Sequence, residues 1–302
     1  MTFLSRIRIN PLRAESRRLL ANPRAMHGAV MGGVPDVGDD DRVLWRLDAD
    51  DSHRPFVYVL TPGKPDWTHV VERAGWPDAD GDHALVRDYA PLLAQVSAGR
   101  EFAFRLTANP VQTTRTPLAP SPAQVKRRDA AAPGERIRGF RHAHRTAATQ
   151  LEWFLTRTGK WGFEVPAART EPAAPGLVIE PAEPPEAAEA AEAADRAHRP
   201  GPAREVRITG RSRHSFAKGG RGPHVVFHSA TFEGRLKVVD PAAFATRLLR
   251  GIGPSKAYGC GLLTLAPLPK PGPGPGPGSG PGPGPARVTP GSSPSPSGTP
   301  PR

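Results

Sequence analysis

From Phe3 onward, residues 2–9 (TFLSRIRI) alternate apolar and polar side chains, the period of a strand with one buried face. Asn22 followed by Pro23 then marks a helix start: the Asn side chain accepts a free backbone N–H, and Pro has none to leave unsatisfied. That helix should turn Met26, Ala29 and Val30 inward, carry His27 one turn inside, and end near Gly32 and Gly33 in a left-handed cap. Residues 42–47 (RVLWRL) and 55–60 (PFVYVL) read as a hairpin, 66–74 as a helical turn, and 89–97 as a lead into a strand over 101–106 (EFAFRL). This succession of strand, helix, strand, strand, helix and strand is that of a ferredoxin-like unit.

After Asn109 and Pro110 a basic, loop-like stretch runs to Arg145, and residues 146–158 form a helix with Leu151, Phe154 and Leu155 at helical spacing and Gly159 as its stop. Strands follow at 161–165, 205–209, 224–227 and 231–239, then a helix over 241–250 burying Phe244, Leu248 and Leu249, then a closing strand at 262–266. The second half thus repeats the plan of the first. The expected class is α+β, with two tandem ferredoxin-like (RRM-like) domains over 1–97 and 98–267.

Composition removes two stretches from the folded part. The 302 residues include 38 Pro and 32 Gly, and much of that excess lies in a Pro/Ala/Glu insertion at about 167–202 and a Pro/Gly/Ser tail at 268–302. The insertion has room for a short helix near 186–194 but offers almost no large apolar side chain, so both stretches are expected to be disordered.

The formal net charge of +12 favours a polyanionic partner, nucleic acid ahead of an acidic membrane surface. One cysteine, Cys260, permits no internal disulfide and no thiolate zinc site. No stretch approaches the ~20 apolar residues of a membrane span. These features point to a cytoplasmic protein.

Two cationic runs stand out. Arg211, Arg213, Lys218 and Arg221 fall on what reads as a short glycine-containing hairpin, and Lys126, Arg127, Arg128, Arg136, Arg138, Arg141 and Arg145 form the other. Guanidinium groups match phosphate oxygens in pairs, so the runs suit an RNA or DNA backbone; a solvated loop is the plain structural reading. Residues 251–261 (GIGPSKAYGCG) are glycine-rich but follow a helix and precede a strand, the reverse of a dinucleotide fingerprint. Backbone N–H groups at Gly251 and Gly253, with Lys256 beside them, either approach phosphates or simply make a tight turn. The pairs His142/His144 and His224/His228 lack the neighbouring thiols and carboxylates of a metal site.

The stretch 22–27 (NPRAMH), the strand exit 105–110 (RLTANP), the strand 231–234 (TFEG) and the ending 251–253 and 259–267 (GIG and GCGLLTLAP) together resemble the CasE family, the CRISPR RNA-processing endoribonucleases of type I-E systems. The resemblance spans about residues 1–267 apart from the insertion. It implies a repeat-derived RNA stem-loop as substrate, cut at the 3′ base of the hairpin, and other subunits of the interference complex Cascade as partners, with no metal, small-molecule cofactor or membrane. His27 matches the family's catalytic histidine, and the basic hairpin falls where the family places one against the RNA stem. Members often carry tyrosine three residues before that histidine, where Arg24 stands here, and some carry lysine five residues after it, where Gly32 stands.

On these residues the expected chemistry is metal-independent attack of a ribose 2′-OH on its own phosphate. His27 moves a proton and Arg24 stabilises the charge gathering on the phosphorus oxygens. Arg138, Arg141, Arg211, Arg213, Lys218, Arg221, Gly251, Gly253 and Lys256 are the expected RNA contacts. Three other readings stay open at this point: an RNA-binding assembly subunit without activity, a DNA-binding architectural protein, and a nucleotide-dependent enzyme.

Overall fold

The computed structural model describes residues 1–35, 37–38, 41–79, 81–114, 122–130, 139–168, 203–217 and 224–268. Residues 169–202 and 269–302, nearly all of the expected insertion and tail and including the short helix near 186–194, lie outside these, as do Arg138, Lys218 and Arg221. Residues 1–268 form one compact unit of mixed α+β structure built on antiparallel sheets.

The first sheet contains β1 (Phe3–Arg8), β2 (Leu44–Asp48), β3 (Phe56–Thr61) and β4 (Ala84–Asp88), in the order β2-β3-β1-β4. The helices α1 (Ala14–Ala21) and α2 (Pro23–Met31) connect β1 to β2, and α3 (Thr68–Ala74) connects β3 to β4. Two of these elements escaped the sequence pattern. β4 has no fully buried side chain and so little alternation to read, and α1 stops one residue short of α2, so that Asn22 alone marks the break.

Both faces of β2 and β3 are covered. The cross-strand pair Trp45 and Val59 packs with Ile7, Met26, Val30 and Trp67 under the helices. The next pair along, Leu44 and Leu60, turns the other way and joins the core of the second half. Arg46 shares that second face. Its guanidinium is 2% exposed, pairs with Asp48 at 2.6 and 2.8 Å, donates to the carbonyls of Arg105 (2.8 Å) and Leu262 (3.2 Å), and lies over the Tyr58 ring.

After a short α4 (Ala90–Leu93) the second sheet begins at β5 (Glu101–Ala108). The basic stretch expected to be a loop contains β6 (Val111–Thr114), α5 (Pro122–Asp129) and β7 (Phe140–Ala143), with β6 and β7 paired as a separate ribbon. Next come α6 (Ala147–Leu155) and a two-residue β8 (Phe163–Glu164), the predicted start at Trp161 being a 3-10 turn instead. Two long strands follow, β9 (Val206–Ala217) and β10 (His224–Val238), then α7 (Pro241–Arg250) and β11 (Leu263–Ala266). The path β11-β5-β10-β8 repeats the order of the first sheet, with β9 paired to β10 beside it. Phe154 of α6 is fully buried and stacks on Phe232 at 4.6 Å and Phe104 at 5.6 Å, so one helix face seals this sheet.

At the insertion point the chain is stapled. Ala167 bridges Arg204, the Ala168 N–H donates to the Ala203 carbonyl at 2.8 Å, and the Glu205 N–H donates to the Pro166 carbonyl at 3.0 Å. Among the described residues no helix is long and apolar enough to cross a membrane.

Candidate functional site

Three local features set the direction of α2. Asn22 accepts from the Arg24 N–H at 3.0 Å as the N-cap, Pro23 opens the first turn, and Met26 and Val30 are locked into the core. The helix ends at Met31 with Gly32 at φ −65°, so the expected left-handed cap is absent. The glycines there serve close packing: a Cβ on Gly33 would lie 2.6 Å from the Trp67 ring.

His27, beside Met26, emerges half-buried at the rim of this helix, and its Nδ1 is buried and unbonded. Burial holds its pKa below the ordinary imidazole value, so the neutral form, able to accept a proton, prevails at neutral pH. Arg24 is exposed three residues earlier, on the same side of the helix. Beside Gly32 stands another imidazole: a Cβ there would be 3.4 Å from Nε2 of His69, which bonds the Ala29 carbonyl at 2.9 Å and ties α3 to the end of α2.

The glycine-rich loop touches the same helix, α2 packing against a 3-10 turn over Lys256–Tyr258. Staples to both sheets hold the loop: Trp45 Nε1 donates to the Ala257 carbonyl, Asn109 donates to the Ser255 hydroxyl, and the Gly261 N–H donates to the Thr107 carbonyl. Lys256 is half-buried, and burial together with the nearby charges of Arg42, Arg247 and Arg250 lowers its pKa. Such a cluster gains from an anion that relieves the repulsion.

Gly251 plays a different part from the one expected. It is buried, and its N–H already donates to the Arg247 carbonyl at 2.8 Å, ending α7. Gly253, half-buried at φ +74°, sits under Trp153 with room for a side chain at ordinary contact distance. At Gly251, φ +74° coincides with a site where a Cβ would fall 2.7 Å from Leu44; at Gly259, φ +81° coincides with a site 2.9 Å from the Trp45 ring. Gly251→Ala and Gly259→Ala should therefore each cost about 1–3 kcal/mol, read as a lower midpoint in thermal unfolding, whereas Gly253→Ala should cost less.

The second cationic group lies on the β9–β10 ribbon. Arg211 and Arg213 are placed within a twelve-residue strand rather than on a short hairpin. Their two-residue spacing puts both on one face. Arg211 donates to Gln150 Oε1 at 2.9 Å and to the Arg145 carbonyl, which ties the strand to the start of α6. The charges of Arg145, Arg211 and Arg213 all reach His228, across from Arg213, and add to burial in lowering its pKa. The fold thus joins Arg145 of one basic run to the other run. For Arg141 the structure gives the backbone position, opposite Thr113 on β7. Among the described residues no three His, Cys, Asp or Glu side chains gather as a metal ion would need.

Sequence reasoning missed Arg42, Arg247 and Arg250 around Lys256. Two of them close the last turn of α7, where cations read simply as partners of the helix dipole.

A model of the family described as "CRISPR associated protein" matches residues 2–267. The chain is 28% identical over 268 residues to the CRISPR-associated endoribonuclease Cse3 of Thermus thermophilus, covering 88% of this chain and all of that one. It is 26% identical to the Cascade subunit CasE of Escherichia coli, over 74% of this chain and 89% of that one. Among solved structures, Thermus thermophilus Cse3 bound to an RNA representing a pre-cleavage complex superposes with a TM-score of 0.59 at 27% identity, over 88% of this chain and 99% of that one. The matched span takes in the helix that carries His27 and the glycine loop stapled beneath it, and the chain belongs to the Cse3/CasE family of CRISPR-associated proteins.

Proposed function

We propose that this protein is a metal-independent endoribonuclease that cuts CRISPR repeat RNA at the 3′ base of its stem-loop and keeps the product as a Cascade subunit. The order β2-β3-β1-β4 of the first sheet and the matching four-strand path β8-β10-β5-β11 of the second, with β9 off that path, support a reading as two tandem ferredoxin-like domains. The observation that carries the proposal is His27: a half-buried imidazole kept neutral by burial, its Nδ1 unbonded, on a helix packed against the Lys256 cluster.

In this reading His27 takes the proton of the 2′-OH. The 2′-oxygen bonds to phosphorus, the P–O5′ bond breaks with the leaving oxygen taking a proton from solvent water, and the products are a 2′,3′-cyclic phosphate and a 5′-OH end. Arg24 and Lys256 stabilise the charge that builds on the phosphoryl oxygens. Positioning supplies much of the rate, since a 2′-oxygen held in line with the leaving oxygen has little left to organise. Arg211, Arg213 and Arg145 grip the stem by its phosphates and A-form shape, because the RNA major groove is too narrow for side chains to read.

The test is cleavage of repeat hairpin RNA in excess EDTA. The expected result is a cyclic-phosphate product, and no product when the scissile ribose lacks its 2′-OH. A requirement for magnesium overturns the mechanism. Tight hairpin binding with no cutting assigns the protein the role of an inactive assembly subunit instead.

A further inference from the structure

A cavity of about 280 Å³ lies between the α1–α2 junction, the β9–β10 ribbon and the glycine loop. Pro23 and Met26 of the His27 helix both line it, one a helical turn before His27 and the other next to it in the chain. One wall is apolar and aromatic, made by Leu19, Met26, Trp45 and Tyr258. The facing wall carries hydrogen-bonding groups: Ser212, His214, Ser229 and Thr231, with Asp50 and Arg105 at one end. β9 supplies Ser212 and His214 from the face opposite Arg211 and Arg213, so the ribbon presents cations on one side and neutral polar groups on the other.

The polar wall is organised. His214 Nε2 and the Ser229 hydroxyl are 2.8 Å apart, and the His214 ring stacks on Phe227 at 4.5 Å, which fixes its direction. Arg105 is already neutralised by two bonds to Asp50, one at 2.7 Å, and by Glu233 at 2.8 Å. A phosphate entering here would meet carboxylates, in contrast to the Lys256 and His228 clusters. A planar heterocycle would find aromatic and aliphatic faces to lie against, with donors and acceptors at its edge.

We propose that this cavity receives a single nucleobase unstacked from the RNA at the cleavage junction. The proposal rests on the endoribonuclease reading and adds to it a site that selects where the cut falls. Within an A-form stack the 2′-oxygen does not stand in line with the leaving 5′-oxygen, so the nucleotide must leave that geometry before it reacts. Drawing its base into a pocket beside His27 turns the sugar and brings the neighbouring phosphate to the imidazole. Edge contacts to Asp50, His214 and Ser229 make the pocket sensitive to which base enters.

The test is an abasic scan of the nucleotides flanking the scissile phosphate, read as single-turnover cleavage rate with wild type and two cavity-filling variants. Ser212→Trp and Ala49→Trp fill the cavity from two exposed rim positions, and retained hairpin affinity shows that each variant is folded. One abasic position should slow the wild type by about tenfold or more. Each variant should slow the intact RNA comparably and show no added penalty with that abasic RNA. Penalties that multiply, variants that cut intact RNA at the wild-type rate, or a scan with no sensitive position overturn the pocket while leaving the nuclease standing. If the wild type binds but does not cut, the nuclease reading fails, and the same scan read as binding affinity decides the pocket alone.

Discussion

Replacing His27 with alanine is expected to slow cleavage of the repeat hairpin by a factor of ~10²–10⁴, while hairpin affinity changes only several-fold. On the proposed mechanism the two readouts separate because the imidazole handles the proton, whereas the grip on the RNA stem rests on the cations around His228. The pH dependence gives an independent check. The imidazole's pKa lies below its ordinary value of about 6.5 because burial penalises the charged form. As a general base it is active when neutral, so the rate should hold through neutral pH and fall only as pH drops through that lowered pKa. In His27→Ala this acid limb should vanish. A profile that falls on the alkaline side instead, with the same midpoint, would mean that His27 donates its proton to the leaving oxygen.

Arg46→Ala should be among the most damaging substitutions away from the site. The side chain is 2% exposed, and its removal leaves Asp48, at 14% exposure, with only the longer 3.5 Å contact to Arg105 and frees two carbonyl acceptors in the second half. Breaking a buried pair from one side costs about 3–5 kcal/mol. For a folded unit of this size that corresponds to a fall of about 6–20 °C in the thermal midpoint. Because the guanidinium joins β2 to β5 and to the residue before β11, the loss should also reduce cleavage more than hairpin binding. Arg46→Lys, which keeps the charge but not the planar fork, should fall between wild type and alanine. A variant that melts within a degree of wild type would show the clamp to be dispensable.

Elements whose signals are local were legible in the sequence. Asn22 and Pro23 announce α2 because capping is settled within one turn; α7 was read from its apolar spacing, and the structure adds its cap, Asp240 accepting from the Ala243 N–H at 3.0 Å. Met26, Val30, Phe154, Phe244 and Leu248, all apolar and at helical spacing, went to the core as expected. Only the start of β9 was legible, as the strand over 205–209; its continuation to Ala217 was not. Most of its side chains between Val206 and Phe216 face water on both sides, so it is held chiefly by its backbone pairing with β10 and leaves almost no periodic trace. The same blindness hid the cavity, since the parity that sends Ser212 and His214 one way and Arg211 and Arg213 the other exists only once the segment is a strand. The cluster around Lys256 draws on residues as far apart as Arg42 and Arg250, and no short-range rule connects them. His27 was found through family resemblance; its neutrality follows from burial, which only the fold supplies.

The closed neck formed by Ala167, Ala168, Ala203 and Arg204 separates the stretch between them from the register of the second sheet. Once departure and return are bonded side by side, the entropy of closing the excursion grows only with the logarithm of its length. Related chains can therefore gain or lose residues there without disturbing the sheet, and a fluorophore or affinity handle grafted at this neck would ride on the protein without shifting the pairing of its strands.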